Sequence, residues 1–150
     1  MLLGKVLTNI KKNYKKIKFE NIRFNSKDCK LNDIFFAING NYSKGNNYIN
    51  EAIKNGAKII ISNLKFEGHD ENNILFLRSK NPRKLLSDVS SRYYKFKPKN
   101  IIAVTGTNGK TSVANFYNQI LTLNKKKVAS IGTLGVISKK LKLNTINTTL

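Results

Sequence analysis

Apolar and polar positions along this chain follow helix-like and strand-like spacings in turn. Leu3, Val6, Leu7 and Ile10 recur at helical spacing, which predicts a short amphipathic helix near the start. Ile22-Arg23-Phe24 alternates as a strand does, and it runs into the polar Asn25-Ser26-Lys27-Asp28. Asp33 to Ile38, Lys58 to Ser62 and Ile74 to Leu77 are short, nearly continuous apolar runs, the pattern of buried strands. Between the first two runs, Tyr48, Ile49, Ala52 and Ile53 mark a helix face that Asn55-Gly56 closes. Asn81-Pro82 opens another helix, with Asn as cap and Pro at the first helical position. Leu85, Leu86, Val89 and Tyr93 line one face of it.

The rhythm breaks at Phe96-Lys97-Pro98-Lys99-Asn100, which reads as a linker and sets a domain boundary near residue 98. Beyond it, Ile101 to Val104 reads as a buried strand. Val113, Phe116, Tyr117, Ile120 and Leu121 then fall on one helical face, where core packing is the expected role of the aromatics. Lys125 to Lys127 close that helix favourably for its dipole. Val128 to Ile131 is the next expected strand, and Gly132-Thr133-Leu134-Gly135 turns out of it. Strand, helix, strand predicts a parallel pair. The fold class is therefore α/β: a small amino-terminal α/β domain over 1–98, then the start of a parallel-sheet domain over 99–150. Two or three strands fall short of a sheet covered on both faces, so the expectation is an incomplete second domain and a longer parent protein.

Composition alters this picture little. The 150 residues are 40% hydrophobic, enough for a core, and no apolar run approaches the length of a membrane span. With no signal-peptide pattern at the start, a soluble cytoplasmic protein is expected, a monomer with no membrane insertion. Cys29 is the single cysteine, so an intrachain disulfide and a cysteine metal cage are excluded; His69, the single histidine, sits in the polar Glu67-Gly68-His69-Asp70-Glu71 stretch, a solvated loop that argues against a Ser-His-Asp triad or a multi-His metal site. The net charge of +20 invites a nucleic-acid partner. Against it, the charge is mostly dispersed Lys without clustered Arg or interleaved aromatics. No nucleic-acid partner is expected; the Lys residues read as solvated faces that steer polyanions.

The chemistry concentrates in Thr105-Gly106-Thr107-Asn108-Gly109-Lys110-Thr111. A Gly-rich turn between a strand and a helix is the setting of a phosphate-binding loop. Gly106 and Gly109 permit a tight turn that brings backbone N–H groups up to phosphate oxygens. The helix start adds unpaired donors and partial positive charge. Lys110 can reach β- and γ-phosphates, and the Thr111 hydroxyl can ligate Mg²⁺. The first Gly of the general G-x-x-x-x-G-K-[ST] pattern would fall at Val104, so this loop is a shorter variant. The bland alternative is a Gly-containing turn with a chance Lys.

Several motifs in order resemble the Mur ligase family, cytoplasmic enzymes that join amino acids to the growing peptidoglycan peptide. Asn25-Ser26-Lys27 with Leu31-Asn32-Asp33-Ile34-Phe35-Phe36-Ala37-Ile38 is similar to the family's D-S-R and P-G-D-L-F-V-A-L. Gly45-Asn46-Asn47-Tyr48-Ile49, with Ala52 and Gly56-Ala57, is similar to D-G-H-D-F-I and A-x-x-x-G-A. Thr105 to Thr111 is the family's T-G-T-N-G-K-T. Ile131 to Gly135 and Asn147-Thr148-Thr149 resemble the branch that adds the third residue. Lys27 stands in place of the family Arg, a point charge instead of a bidentate fork, Asn25 stands in place of its Asp, and Leu150 stands where Pro is frequent.

The resemblance implies that 1–98 binds the UDP end of UDP-N-acetylmuramoyl-L-alanyl-D-glutamate, through Phe24, Ser26, Asn41, Tyr42 and Ser43. It implies that 99–150 begins a central ATP-binding domain. There Gly106, Thr107, Asn108, Gly109, Lys110, Thr111 and Ser112 would cradle ATP, with Mg²⁺ at Thr111. Lys110 would neutralise charge as the γ-phosphoryl passes to the D-glutamate carboxylate. A diamino acid would then attack the acyl phosphate, with Asn147, Thr148 and Thr149 on the muramoyl-peptide. The acidic Mg²⁺ ligand and a carbamylated lysine would lie further along, so the 150 residues alone are expected to lack ligase activity. The related ligase that adds a D-alanyl dipeptide and a basic nucleic-acid-binding module are the alternatives.

Overall fold

The computed structural model describes residues 1–40 and 43–144. The chain divides into two compact units, Met1–Lys97 and Pro98–Leu150.

The first unit is built on one sheet of β1 (Ile22–Arg23), β2 (Ile34–Phe36), β3 (Ile59–Ser62), β4 (Gly68–His69) and β5 (Leu75–Arg78). Their spatial order is β1-β2-β3-β5-β4. β1, β2, β3 and β5 run parallel, and β4 joins the far edge antiparallel to β5. The continuous apolar runs follow from burial on both faces. Ile34, Phe36, Ile59, Ile61, Leu75 and Leu77 point to one side, into a core with Leu3, Val6, Phe19 and Val89. Phe35, Ala37, Ile60 and Ile74 point to the other, against Ile49, Ala52 and Ala57. Alternation along a pleated strand divides each run between two cores.

Two helices cover these faces. α1 (Ile49–Lys54) seats Ile49 and Ala52 and ends at Gly56, whose φ of 109° takes the helix out of register. α2 (Pro82–Tyr93) is capped by Asn81, whose side chain accepts from the Lys84 N–H at 3.0 Å. Val89 is fully buried, with Leu85, Leu86 and Tyr93 around it, as the spacing predicts.

The helix expected over Leu3–Ile10 is not formed. Two 3₁₀ turns stand there instead, Leu3–Lys5 and Lys12–Lys16. The Leu3 N–H donates to the Ile17 carbonyl at 2.8 Å and the Phe19 N–H to that of Met1 at 2.9 Å, so the chain folds back on itself. Leu3, Val6 and Leu7 still reach the core.

The second unit holds α3 (Lys110–Leu123) and an antiparallel meander of β6 (Ala129–Gly132), β7 (Gly135–Ser138) and β8 (Lys142–Leu143). Two expectations are corrected here. Residues 101–104 form no strand; Ile101 is 80% exposed, and among the described residues no ladder joins them to β6. An apolar run becomes a strand only beside a partner that offers N–H and C=O groups, and the strands of this unit pair with one another. The expected parallel pair is accordingly replaced by antiparallel hairpins. The apolar face of α3 is also uncovered: Val113, Phe116, Tyr117 and Ile120 are exposed, not packed in a core.

Candidate functional site

The loop before α3 has the geometry its residue types call for. Gly106 and Gly109 both take positive φ, 147° and 78°, and Gly109 is the left-handed residue from which α3 starts. A side chain at Gly109 would be strained whatever the space around it. Unlike α2, α3 has no side chain capping its first turn. Its leading N–H groups therefore remain available to an anion. Lys110 folds back over the loop, its Nζ donating to the carbonyls of Gly106 and, at 2.9 Å, Thr107. The ammonium thus lies at the helix start, held by neutral acceptors that an incoming polyphosphate can outcompete. Thr107, Asn108, Thr111 and Ser112 are exposed around it. Among the described residues no group of three or more His, Cys, Asp or Glu side chains could hold a metal. The Thr111 hydroxyl at the first turn fits Mg²⁺ only in the manner of an ion that keeps its waters and phosphate ligands.

Phe24, Ser26 and Ser43 follow the carboxyl ends of parallel strands, where open α/β sheets bind ligands. Phe24 follows β1 directly and is 61% exposed. Ser26 lies two residues on and is only 4% exposed. Its hydroxyl donates to Glu51 Oε2 at 2.5 Å, and its carbonyl accepts from Asn55 Nδ2 at 3.0 Å. Ser43 is exposed, its carbonyl accepting from Gly40 at 2.9 Å. Asn39 Oδ1 holds the Gly45 N–H at 2.9 Å, and Arg83 of α2 donates to the Asn39 carbonyl at 3.0 Å. Gly45 is required here, since a Cβ would collide with the backbone of Ile38. Asn41, Tyr42, Asn147, Thr148 and Thr149 lie outside the described residues.

One residue that sequence reasoning passed over organises this edge. Asp33 is fully buried. Its Oδ2 accepts from Arg23 Nε at 3.0 Å and from the Lys30 N–H at 3.1 Å. Its Oδ1 accepts from the backbone N–H and the side-chain amide of Asn21 at 2.9 and 3.0 Å. A single carboxylate thus closes both ends of the loop that carries Phe24 and Ser26. Burial by itself pushes the Asp33 carboxyl up; the bonds from Arg23, Asn21 and Lys30 outweigh it and hold the group below the ordinary carboxylate range. The same bond raises the Arg23 guanidinium. The one guanidinium–carboxylate pair among the described residues is thus made by Arg23 and not at Lys27. The available signal was an acidic residue abutting an apolar run in a chain with only 8 Asp and Glu.

No protein-family model matches the chain. Among curated proteins it is 39% identical over 128 residues to the UDP-N-acetylmuramoyl-L-alanyl-D-glutamate–2,6-diaminopimelate ligase of Rickettsia felis, 85% of this chain and 24% of that protein. It is 40% identical over 137 residues to the ligase of the same name from Clostridium tetani, 89% of this chain and 28% of that one. The chain thus spans about a quarter of the length of the curated relatives it matches. Among solved structures, a UDP-N-acetylmuramoyl-L-alanyl-D-glutamate–2,6-diaminopimelate ligase aligns with the whole chain at a TM-score of 0.74 and 22% identity, over 31% of its own length. The MurF ligase of Thermotoga maritima, solved with ADP, aligns with 71% of the chain at a TM-score of 0.56 and 26% identity, over 24% of its length.

Proposed function

We propose that the chain, similar over the stretch it spans to Mur ligases, is the amino-terminal part of an ATP-dependent ligase of peptidoglycan synthesis. Its first unit, 1–98, holds the UDP end of UDP-N-acetylmuramoyl-L-alanyl-D-glutamate. Its second, 99–150, begins the ATP-binding domain. The amino acid added is a diamino acid, meso-diaminopimelate by the names of the relatives, and the enzyme works in the cytoplasm as a monomer. No described helix is long and apolar enough to cross a membrane.

The observation that carries the reading is the uncapped start of α3, with Gly109 left-handed and Lys110 folded over it. Backbone N–H groups from Gly106 to Ser112 cradle the phosphates, and Lys110 leaves the loop carbonyls for them. As the γ-phosphoryl passes to the D-glutamate carboxylate, Lys110 offsets the charge that develops on it, which asks for positioning rather than covalent chemistry from the protein. The Thr111 hydroxyl would hold Mg²⁺, which when bound would supply further charge neutralisation at the phosphates. The amine of the diamino acid then displaces phosphate from the acyl phosphate, so that an amide bond forms as the C–O bond breaks. Asn147, Thr148 and Thr149 contact the muramoyl-peptide in this proposal.

The test is equilibrium binding to the 150-residue chain. ATP with Mg²⁺ and UDP are expected to bind at separate, saturable sites. Lys110→Ala is expected to abolish the first and leave the second. ATP affinity unchanged by Lys110→Ala would sink the assignment of the loop. Amide formation by the isolated chain would overturn the view that it is one part of the catalyst.

A further inference from the structure

We propose that Glu51 sets the base selectivity of the nucleotide edge: it accepts the hydrogen bond of the Ser26 hydroxyl, so that Ser26 has only lone pairs to offer to the imide N–H of uracil. The inference rests on the first unit being a uridine-nucleotide site, and it adds what the site discriminates and through which residue.

A hydroxyl has one proton and two lone pairs. The Ser26 hydroxyl donates its one hydrogen to Glu51 Oε2 at 2.5 Å, the length of a charge-assisted O–H···O⁻ bond. A carboxylate has no proton to return, so the polarity of this pair cannot reverse as it could between two hydroxyls. The rest of Ser26 is also fixed. Asn55 holds its carbonyl at 3.0 Å, and the residue is 4% exposed, leaving little water to exchange for Glu51. Glu51 stands on α1 and Asn55 caps it, and α1 is seated by Ile49 and Ala52 in the core behind it. Ser26 follows Phe24, an exposed aromatic at the carboxyl end of β1 on which a base can stack.

What Ser26 Oγ keeps is lone-pair capacity alone. A phosphate oxygen is also an acceptor and gains nothing from it, so the arrangement assigns Ser26 to the base and not to the diphosphate. Uracil carries a proton on N3, whereas cytosine has a lone pair there. Facing Ser26 Oγ, the first makes a hydrogen bond and the second sets lone pair against lone pair. Glu51 acts through Ser26 and is therefore a positioning residue.

The experiment titrates UDP and CDP by calorimetry into the 150-residue chain and its Glu51→Ala variant, with melting temperatures taken in parallel. The native chain is expected to favour UDP by about tenfold or more, the scale of one hydrogen bond to a site that leaves its competitor unpaired. Glu51→Ala frees the hydroxyl to turn its proton toward cytosine N3, and the UDP-to-CDP ratio is expected to fall toward one. Glu51→Asp, a methylene shorter, draws the carboxylate off Ser26 and is expected to lower the ratio in the same way; it serves where the alanine variant does not fold. A loss of stability alone would weaken both nucleotides together. A ratio that survives both substitutions, equal weakening of UDP and CDP, or a native preference for CDP overturns the proposal while leaving the uridine-nucleotide reading in place if UDP binds. A native chain that binds neither nucleotide removes that reading, and the proposal with it.

Discussion

At the scale of single residues, Asp33 ties the loop that carries Phe24 and Ser26 to the start of β2, through Asn21, Arg23 and Lys30. Its carboxyl titrates below its ordinary value of 3.8 because the folded state supplies donors that the unfolded chain lacks. Near pH 4 the unfolded state therefore binds more protons than the native one. The stability that Asp33 contributes is complete above the unfolded value and is lost as pH falls through the lowered folded value. Denaturant melts of Met1–Lys97 from pH 7 to pH 2.5 should show this loss, and Asp33→Asn should flatten it. At neutral pH the same variant should lower stability by roughly 3 kcal/mol, since it leaves Arg23 facing an amide where a charge stood. Cys29 offers a second residue-scale check. Burial pushes its thiol up to about 11, so almost no thiolate exists at neutral pH. Ellman's reagent should react with it only as fast as the unit opens; rapid labelling of the native chain would contradict the burial.

At the scale of elements, caps and turns explain where helices begin and what their ends can do. α2 is closed by its own Asn81, and Asn81→Ala should cost about 1 kcal/mol in the melt of the first unit. α3 begins from left-handed Gly109 with no side chain over its first turn. A β-branched residue there cannot keep the backbone, so Gly109→Val should lower ATP affinity at least about tenfold, measured by fluorescent-nucleotide titration. Unchanged affinity would mean that the loop does not hold phosphate in this conformation. The strand expected over 101–104 marks the limit of periodicity: its residues suit a strand, but a strand exists only with a neighbour.

At the scale of the whole molecule, the two units differ in what they bury. Met1–Lys97 encloses two cores, one on each face of its sheet. Pro98–Leu150 contains an α3 with no buried residue. Expressed separately, the first should unfold in one cooperative transition by circular dichroism, and the second should show none. A sharp melt of 98–150 alone would contradict the exposed face of α3.

Local rules made much of this readable from the order of residues. The apolar runs of β2, β3 and β5, the Asn81-Pro82 start, the Asn55-Gly56 stop and the Gly106–Thr111 loop each depend on neighbours within a few positions, where propensity and capping act. The motif order likewise carried the relation to Mur ligases, which the curated relatives bear out. Contacts between distant positions were not readable in that way. Asp33 closing the loop from Arg23 to Lys30, Glu51 and Asn55 holding Ser26, Arg83 propping Asn39, and the antiparallel meander in place of a parallel pair all join residues that no periodicity links. Each exists because strands and helices packed for their apolar faces bring those groups within hydrogen-bonding distance, and a buried polar group must then take the partner that packing provides.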